Sequence, residues 1–354
     1  MKRLTREVKV GSIGIGGENP VRIQSMTSTK TTDIDLTLKQ IEELIKEDCE
    51  IVRIAVPDMR SLSAFKEIRK RTSVPLVADV HFNYRIAIGA IEAGADKIRI
   101  NPGNIGTMQQ VKEIIAALKA NGKSVRIGVN SGSLEEDIIE KYGGVFPEGL
   151  VESALRWVDF FSEEGFYDII VSLKSSSVKD TVKSYRMLSS RVDFPLHVGV
   201  TEAGPLIPGT VKSSIAIGIL LSEGIGDTIR VSLTEDPVIE VRVAWEILKS
   251  LNLRYNGPII ISCPTCARTR IDLVKLVHDV ERALKNVKVP IKVAIMGCEV
   301  NGPGEAREAD IGVAAEPGKG SIFKKGKIIK RVSEEVIVSE LLKEIENIAQ
   351  EDSR

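Results

Sequence analysis

The chain has no excess of charge of either sign: 49 lysines and arginines face 49 aspartates and glutamates. That balance excludes a global pull toward nucleic acid or an acidic membrane surface, so a charged partner has to be met by a local patch. Long hydrophobic runs are missing too. No apolar stretch approaches the roughly 18 to 20 residues that span a bilayer, and Met1 to Val10 lacks the apolar centre of a secretory signal. A reducing cytoplasm is the expected location. Cysteine is scarce, with 4 in 354 residues. Nothing in the chain implies an oxidising compartment, so disulfides are not expected and the thiols are left for other chemistry.

Cys49 ends the amphipathic run Leu36 to Asp48 and is expected to be a small buried hydrophobe. The other three cysteines keep different company. Cys263-Pro-Thr-Cys266 is followed by Cys298 and then by Asn301-Gly-Pro-Gly-Glu305, which puts three thiolates and one carboxylate on short loops rich in glycine and proline. Such a set can cage a metal ion or an iron-sulfur cluster, because soft thiolates favour zinc, copper(I) and iron-sulfur centres. Structural zinc sites usually close with four Cys or His ligands, and no fourth of that kind is evident. His278 falls on the Leu273, Leu276, Val277, Val280 face of a helical pattern and reads as a core or boundary histidine. Glu305 would fill the gap with an oxygen held loosely enough to be displaced.

Upstream, a unit of apolar strand, polar loop and amphipathic helix recurs. Strands are expected at Val21 to Met26, Ile51 to Val56, Leu76 to Val80, Lys97 to Ile100, Val125 to Val129, Asp168 to Leu173, Leu196 to Val200 and Thr228 to Leu233, with helical patterns between them. The repetition favours a closed (β/α)8 TIM barrel over an open doubly wound sheet. Glu7 to Ile15 is strand-like and a candidate plug for one barrel end. After a turn near Asn252 to Asn256 the rhythm changes to a smaller α+β unit that carries the cysteines. The expected domains are residues 1–253 and 254–354.

Barrel enzymes place their chemistry at the C-terminal ends of the strands. The polar residues there include Asp79, His81, Asn130, Lys174, Glu202 and Ser232, and Arg53, Arg99, Arg126 and Arg230 lie within strands of valine and isoleucine. An arginine on a barrel strand requires an anionic partner, and cations outnumber carboxylates in this set. Guanidinium forks converging on one mouth suit a multiply anionic ligand such as a diphosphate. Two glycine-rich turns, Asn101-Pro-Gly-Asn-Ile-Gly106 and Gly204 to Gly209 with Lys212 behind it, offer backbone amides to phosphate oxygens. Glu202, an acid in a basic mouth, is a candidate general acid/base. On residue types alone a zinc-containing phosphate-handling barrel lyase and a non-enzymatic iron-sulfur sensor stay open.

Taken together, Ser-Cys263-Pro-Thr-Cys266, Met-Gly-Cys298-Glu-Val-Asn-Gly-Pro-Gly-Glu305, Arg99-Ile-Asn-Pro-Gly-Asn104, Arg126-Ile-Gly-Val-Asn130, Thr201-Glu-Ala-Gly204 and Glu223-Gly-Ile-Gly-Asp-Thr-Ile-Arg-Val-Ser232 resemble, from end to end, the 4-hydroxy-3-methylbut-2-enyl diphosphate synthases in their compact bacterial form. The resemblance implies reductive opening of 2-C-methyl-D-erythritol 2,4-cyclodiphosphate in the non-mevalonate isoprenoid pathway. It implies a [4Fe-4S] cluster on Cys263, Cys266, Cys298 and Glu305, and diphosphate contacts from Arg53, Arg99, Arg126, Asn130, Lys174, Arg230 and Ser232. Glu202 matches the catalytic acid, with Asp79 and His81 near it. Ferredoxin or flavodoxin would donate electrons, and a head-to-tail homodimer would bring one copy's cluster unit to the other's barrel.

Overall fold

The computed structural model describes residues 2–269, 271–298 and 308–352. Its contacts divide the chain into two compact units, residues 1–254 and 255–354.

The first unit opens with a hairpin, β1 (Val8–Val10) and β2 (Ile13–Ile15). The eight barrel strands follow: β3 (Arg22–Met26), β4 (Ile51–Ala55), β5 (Leu76–Asp79), β6 (Lys97–Ile100), β7 (Ser124–Asn130), β8 (Ile169–Lys174), β9 (His197–Val198) and β10 (Thr228–Ile229). They pair in parallel in the order β8-β7-β6-β5-β4-β3-β10-β9, and a bridge between Val171 and Leu196 brings the first and last together. The expected barrel is what forms.

Between the strands run α1 (Ile34–Lys46), α2 (Met59–Arg71), α3 (Tyr84–Glu92), α4 (Met108–Asn121), α5 (Glu136–Tyr142), α6 (Pro147–Glu163), α7 (Val178–Ser189), α8 (Leu206–Ser222) and α9 (Pro237–Ser250). Most begin at a side chain that accepts from an otherwise unpaired amide, as Asp33, Asp58, Asn83, Thr107, Ser177 and Asp236 do. Helices α3 and α5 have short apolar patterns that the repeat did not reveal.

Strands buried on both faces usually read as continuous apolar runs. These alternate instead. Ile98 and Ile100 of β6 join the core that packs under the helices, as do Val125, Ile127 and Val129 of β7. The intervening Lys97, Arg99 and Arg126 therefore face the barrel axis, and Lys97 reaches across it to Gln24 of β3, which is not its neighbour in the sheet. At the opposite end the interior is apolar: Val8, Val10 and Ile15 of the hairpin pack on Ile51, Val77 and Ile170. The hairpin is the plug, and each of its three fully buried side chains contributes about 1.5–3 kcal/mol.

The second unit is a five-stranded sheet in the order β11 (Ile259–Ser262), β12 (Lys292–Met296), β13 (Ile311–Glu316), β14 (Lys319–Lys324), β15 (Lys327–Ser333). The first three run parallel and the rest antiparallel. Helices α10 (Leu273–Leu284) and α11 (Ile337–Asp352) cover it, their Val280, Leu284, Leu341 and Ile345 packing on Val293, Ile295, Ile311 and Val313. Lys324-Lys325-Gly326-Lys327 is a turn: Lys325 and Gly326 take φ of +48° and +77° and close the β14-β15 hairpin. Helix α10 starts at its Asp272 cap, whose side chain accepts from the Lys275 amide. His278 is not on the core face; it is exposed and meets Glu281 at 3.1 Å.

Candidate active site

Asp79, at the end of β5, gathers the upper part of the barrel interior. Arg99 Nη1 donates to its Oδ1 at 3.2 Å, Arg53 Nε lies 3.7 Å from Oδ2, and the side chains are nearly buried. Burial alone would raise the Asp79 carboxyl; Arg53, aided by His81 and Arg99, outweighs burial and holds it well below the usual carboxylate range. Arg99 Nη1 also donates to His81 Nε2 at 2.9 Å. His81 Nε2 also lies 3.5 Å from Asp79 Oδ1. Arg53 turns its Nε and Nη2 to Met26 Sδ at 3.0 and 2.8 Å. With its amide oriented to satisfy both ends, Asn130 accepts from Arg99 Nη2 at 2.8 Å.

On the other side, Glu240 of α9 holds Arg230 through contacts of 3.2 and 3.3 Å, and it also accepts from Ser25 Oγ and the Leu233 amide at 3.0 Å each. Ser232 follows Arg230 on the same face and is half-buried. Glu240 is not a strand-end residue and comes from the helix that follows β10, so strand ends alone do not reveal it. The signal available was a glutamate on an otherwise apolar helix face beside Val241 and Ala244.

The remaining cations have no such partners. Arg126 and Lys174 are buried, yet neither makes an ion pair among the described residues, and Arg126 Nε and Nη1 have no hydrogen-bond partner. Two glycines make room for this crowd. A Cβ on Gly128 would lie 2.7 Å from Arg99 Nε, and one on Gly199 would lie 2.4 Å from the Arg230 carbonyl oxygen and 3.1 Å from Lys174 Nζ. Such a mouth is short of anions and rich in fixed donors, which is what binding a polyanion requires.

Glu202 is exposed on the loop after β9, in a left-handed backbone conformation with φ +51°. It makes no ion pair among the described residues, so it is not committed to an arginine. The two glycine-rich turns differ from expectation. Residues Pro102–Asn104 form a 3-10 turn and α4 starts later, after a Thr107 and Gln110 capping box. Helix α8 begins at Leu206, so Gly209 and Lys212 are helical rather than parts of a phosphate loop.

In the second unit Cys263 directly follows β11 and Cys298 comes just after β12, at the same end of two adjacent parallel strands. Cys263, Cys266 and Cys298 all carry free thiols. The Cys266 thiol is lowered, first by the Arg268 backbone amide, and its sulfur also accepts from Thr269 Oγ1 at 4.0 Å. This loop favours the thiolate, the form that ligates metal. The donors therefore fit a thiolate-bound centre in kind. Among the described residues no three of His, Cys, Asp and Glu are gathered at metal-holding distance. Glu305 lies outside the described residues.

Fold and mouth together define a parallel barrel with a cation-rich mouth, joined in one chain to a small unit that carries three free thiols, two of them just past the ends of adjacent parallel strands. Family comparisons agree with both halves: residues 5–245 match the GcpE TIM-barrel domain and residues 259–347 the GcpE C-terminal domain. The chain belongs to the GcpE family. It is 57% identical over 352 residues to 4-hydroxy-3-methylbut-2-en-1-yl diphosphate synthase (flavodoxin) of Caldanaerobacter subterraneus subsp. tengcongensis, covering 99% of each chain. It is 55% identical to the enzyme of the same name from Lawsonia intracellularis, covering 99% of this chain and 98% of that one. A dihydropteroate synthase structure from Stenotrophomonas maltophilia aligns with 70% of this chain and 98% of its own at a TM-score of 0.50 and 14% identity, a likeness of fold alone.

Proposed function

We propose that this chain reductively opens 2-C-methyl-D-erythritol 2,4-cyclodiphosphate. One cyclodiphosphate, two electrons and two protons give one 4-hydroxy-3-methylbut-2-enyl diphosphate and one water. The observation that carries this reading is the set of buried cations left without carboxylates at the barrel mouth, backed by family membership.

In this reading Arg53, Arg99, Arg126, Lys174 and Arg230 hold the diphosphate, with Asn130 and Ser232 contributing neutral hydrogen bonds. Glu240 aims the Arg230 fork, and Asp79 does the same for Arg53 and Arg99. Glu202, exposed and without an ion pair among the described residues, delivers or accepts a proton as the ring opens, with His81, which contacts Arg99 and Asp79, as a second candidate for proton transfer. Cys263, Cys266, Cys298 and Glu305 would hold a [4Fe-4S] cluster, which when bound supplies the electrons singly. Flavodoxin, the donor named for the relatives, is the expected electron source, with ferredoxin as the alternative of like chemistry. The working form is a cytoplasmic homodimer in which the small unit of one copy serves the barrel of the other.

Anaerobically reconstituted protein should be brown, contain iron and sulfide, and turn over the cyclodiphosphate with a chemical reductant. Cys298→Ser should lose colour and turnover together. A colourless, active variant, or zinc in place of iron in the active wild type, would refute the assignment.

A further inference from the structure

Beneath the candidate diphosphate contacts, and next to Arg126, the barrel holds a second polar tier of Lys97, Gln24 and His197, which the reading above does not use. Lys97 of β6 is fully buried, and its one partner among the described residues is Gln24 Oε1 at 3.3 Å. Facing it are His197 of β9, also fully buried, whose Nδ1 meets Thr228 Oγ1 at 2.7 Å, and Arg126 of β7. Gln24 Nε2, His197 Nε2 and Arg126 Nε and Nη1 have no partner.

The charge in this space does not balance. The buried cations among the described residues are Arg53, Lys97, Arg99, Arg126 and Lys174, and the buried carboxylates are Asp79, Asp227 and Glu240. Asp79 is committed to Arg53 and Arg99, and Glu240 to Arg230. Asp227 serves the Leu196 amide and Lys2 at the plugged end. Nothing negative remains for Lys97, Arg126 and Lys174. Of the tier's members a guanidinium cannot shed its proton at any ordinary pH, whereas an ammonium can.

We propose that Lys97 is a positioning residue of the anion site that gains a proton when a diphosphate binds above it, so that ligand capture is coupled to proton uptake. The inference rests on the mouth being the diphosphate site. Without ligand, burial first, then Arg126 and Arg53, pull the Lys97 amine well below its ordinary range. Lys174 is lowered in the same way, by burial and then by Arg126, Arg230, Arg53 and Arg99. His197 is lowered by burial and then by Arg126, Lys174, Lys97 and Arg53, and it stays neutral. A polyanion reverses the sign of the local field and favours the ammonium. The charged lysine then turns its remaining donors on the ligand side of Gln24, and the tier stiffens under Arg126.

The test is titration calorimetry of full-length protein with inorganic pyrophosphate near pH 8, in buffers of differing ionisation enthalpy, for wild type and Lys97→Met. Comparing the two proteins cancels the protonation of the probe itself. Wild type should take up more protons than the variant, by up to about one per site. The affinity deficit of Lys97→Met should be largest near neutral pH and close as pH approaches the ordinary lysine range, a trend that a merely space-filling role would not produce. Equal proton counts in the two proteins, with both binding pyrophosphate, would overturn the proposal alone. Failure of the wild type to bind pyrophosphate would overturn the diphosphate reading and this proposal with it. Should Lys97→Met not fold, Lys97→Gln, which keeps a hydrogen bond to Gln24 without a titrating proton, carries the same expectations.

Discussion

Replacing Asp79 by asparagine should drive two properties in opposite directions, lowering the stability of the barrel while strengthening its hold on an anion. Asp79 lies 3.2 Å from Arg99 and 3.7 Å from Arg53. At an effective dielectric of about 20, each pair has a gross attraction of about 5 kcal/mol. Most of that is offset by the desolvation of three buried groups. Removing one partner of a buried ion pair typically costs about 3–5 kcal/mol, because the abandoned charge stays buried. Asparagine keeps the shape and some hydrogen bonding, so about 3 kcal/mol is expected. The charge arithmetic runs the other way for ligand: removing one negative charge about 10 Å from a bound anion relieves about 1.5 kcal/mol of repulsion, or roughly tenfold in affinity.

Both effects are measurable on one sample. Trp157 and Trp245 are the chain's 2 tryptophans and both belong to the barrel unit, so their fluorescence in urea follows that unit alone. The variant should unfold at lower urea and bind pyrophosphate more tightly at pH 7. The sign of the pH dependence also follows. The folded Asp79 carboxyl is depressed, so its contribution is full above the unfolded value near 3.9 and disappears as pH falls below it. The stability gap between wild type and variant should therefore narrow only in acid. An unchanged urea midpoint, or weaker pyrophosphate binding at undiminished stability, would refute the charge accounting.

Glu202→Gln should leave iron content and colour intact while lowering kcat by about a hundredfold or more in anaerobic turnover, the usual weight of a positioned proton donor. Gly128→Ala places a methyl where Arg99 Nε now lies at 2.7 Å; displacing that fork should raise KM or the pyrophosphate Kd tenfold or more, with far-ultraviolet circular dichroism unchanged. Apo-protein treated with a thiol reagent should react quickly at Cys263, Cys266 and Cys298. Cys49 should stay silent until the barrel unfolds, because it is buried and its thiol is pushed up to about 12.

The barrel was legible because its period is long and its core-facing positions are strict. Eight apolar strand runs, all but the third followed by a helical pattern, leave few topologies, and the observed strands fall within two residues of the expected starts. The expected ends failed where alternation continues past the ladder, as in the seventh and eighth strands, which were expected to run to Val200 and Leu233 but end at Val198 and Ile229. The backbone there turns away to carry Glu202 and Ser232. Helix starts were misplaced for a related reason. The glycine at 209 suggested a loop, but α8 is already under way there, its start set by Pro205; α4 starts at its Thr107 cap, just past the turn that ends at Gly106. His278 was misplaced by one position on the helical wheel, since the face of Leu273, Val280 and Leu284 is narrow.

The site was legible in its charges and obscure in its carboxylates and depth. Arginines within strands announce themselves against valine and isoleucine, so Arg53, Arg99, Arg126 and Arg230 could be found without coordinates. Lys97 and His197 share their inward face but sit at the starts of their strands, where a search of strand ends does not look; parity with Arg99 and Thr201 was the missed signal. Glu240 escaped because orientation of a fork is work done from behind, by a neighbouring helix. These omissions share one cause. A barrel with an apolar floor and a ligandless mouth has no reason to keep polar side chains in its middle, where each unpartnered donor costs about 1–3 kcal/mol. Here four polar atoms without a partner among the described residues, on Gln24, Arg126 and His197, lie in that middle. Their cost falls when the native working state supplies a partner. The unsatisfied tier, to which Arg126 gives two atoms and Gln24 and His197 one each, therefore adds to the case for a ligand above it.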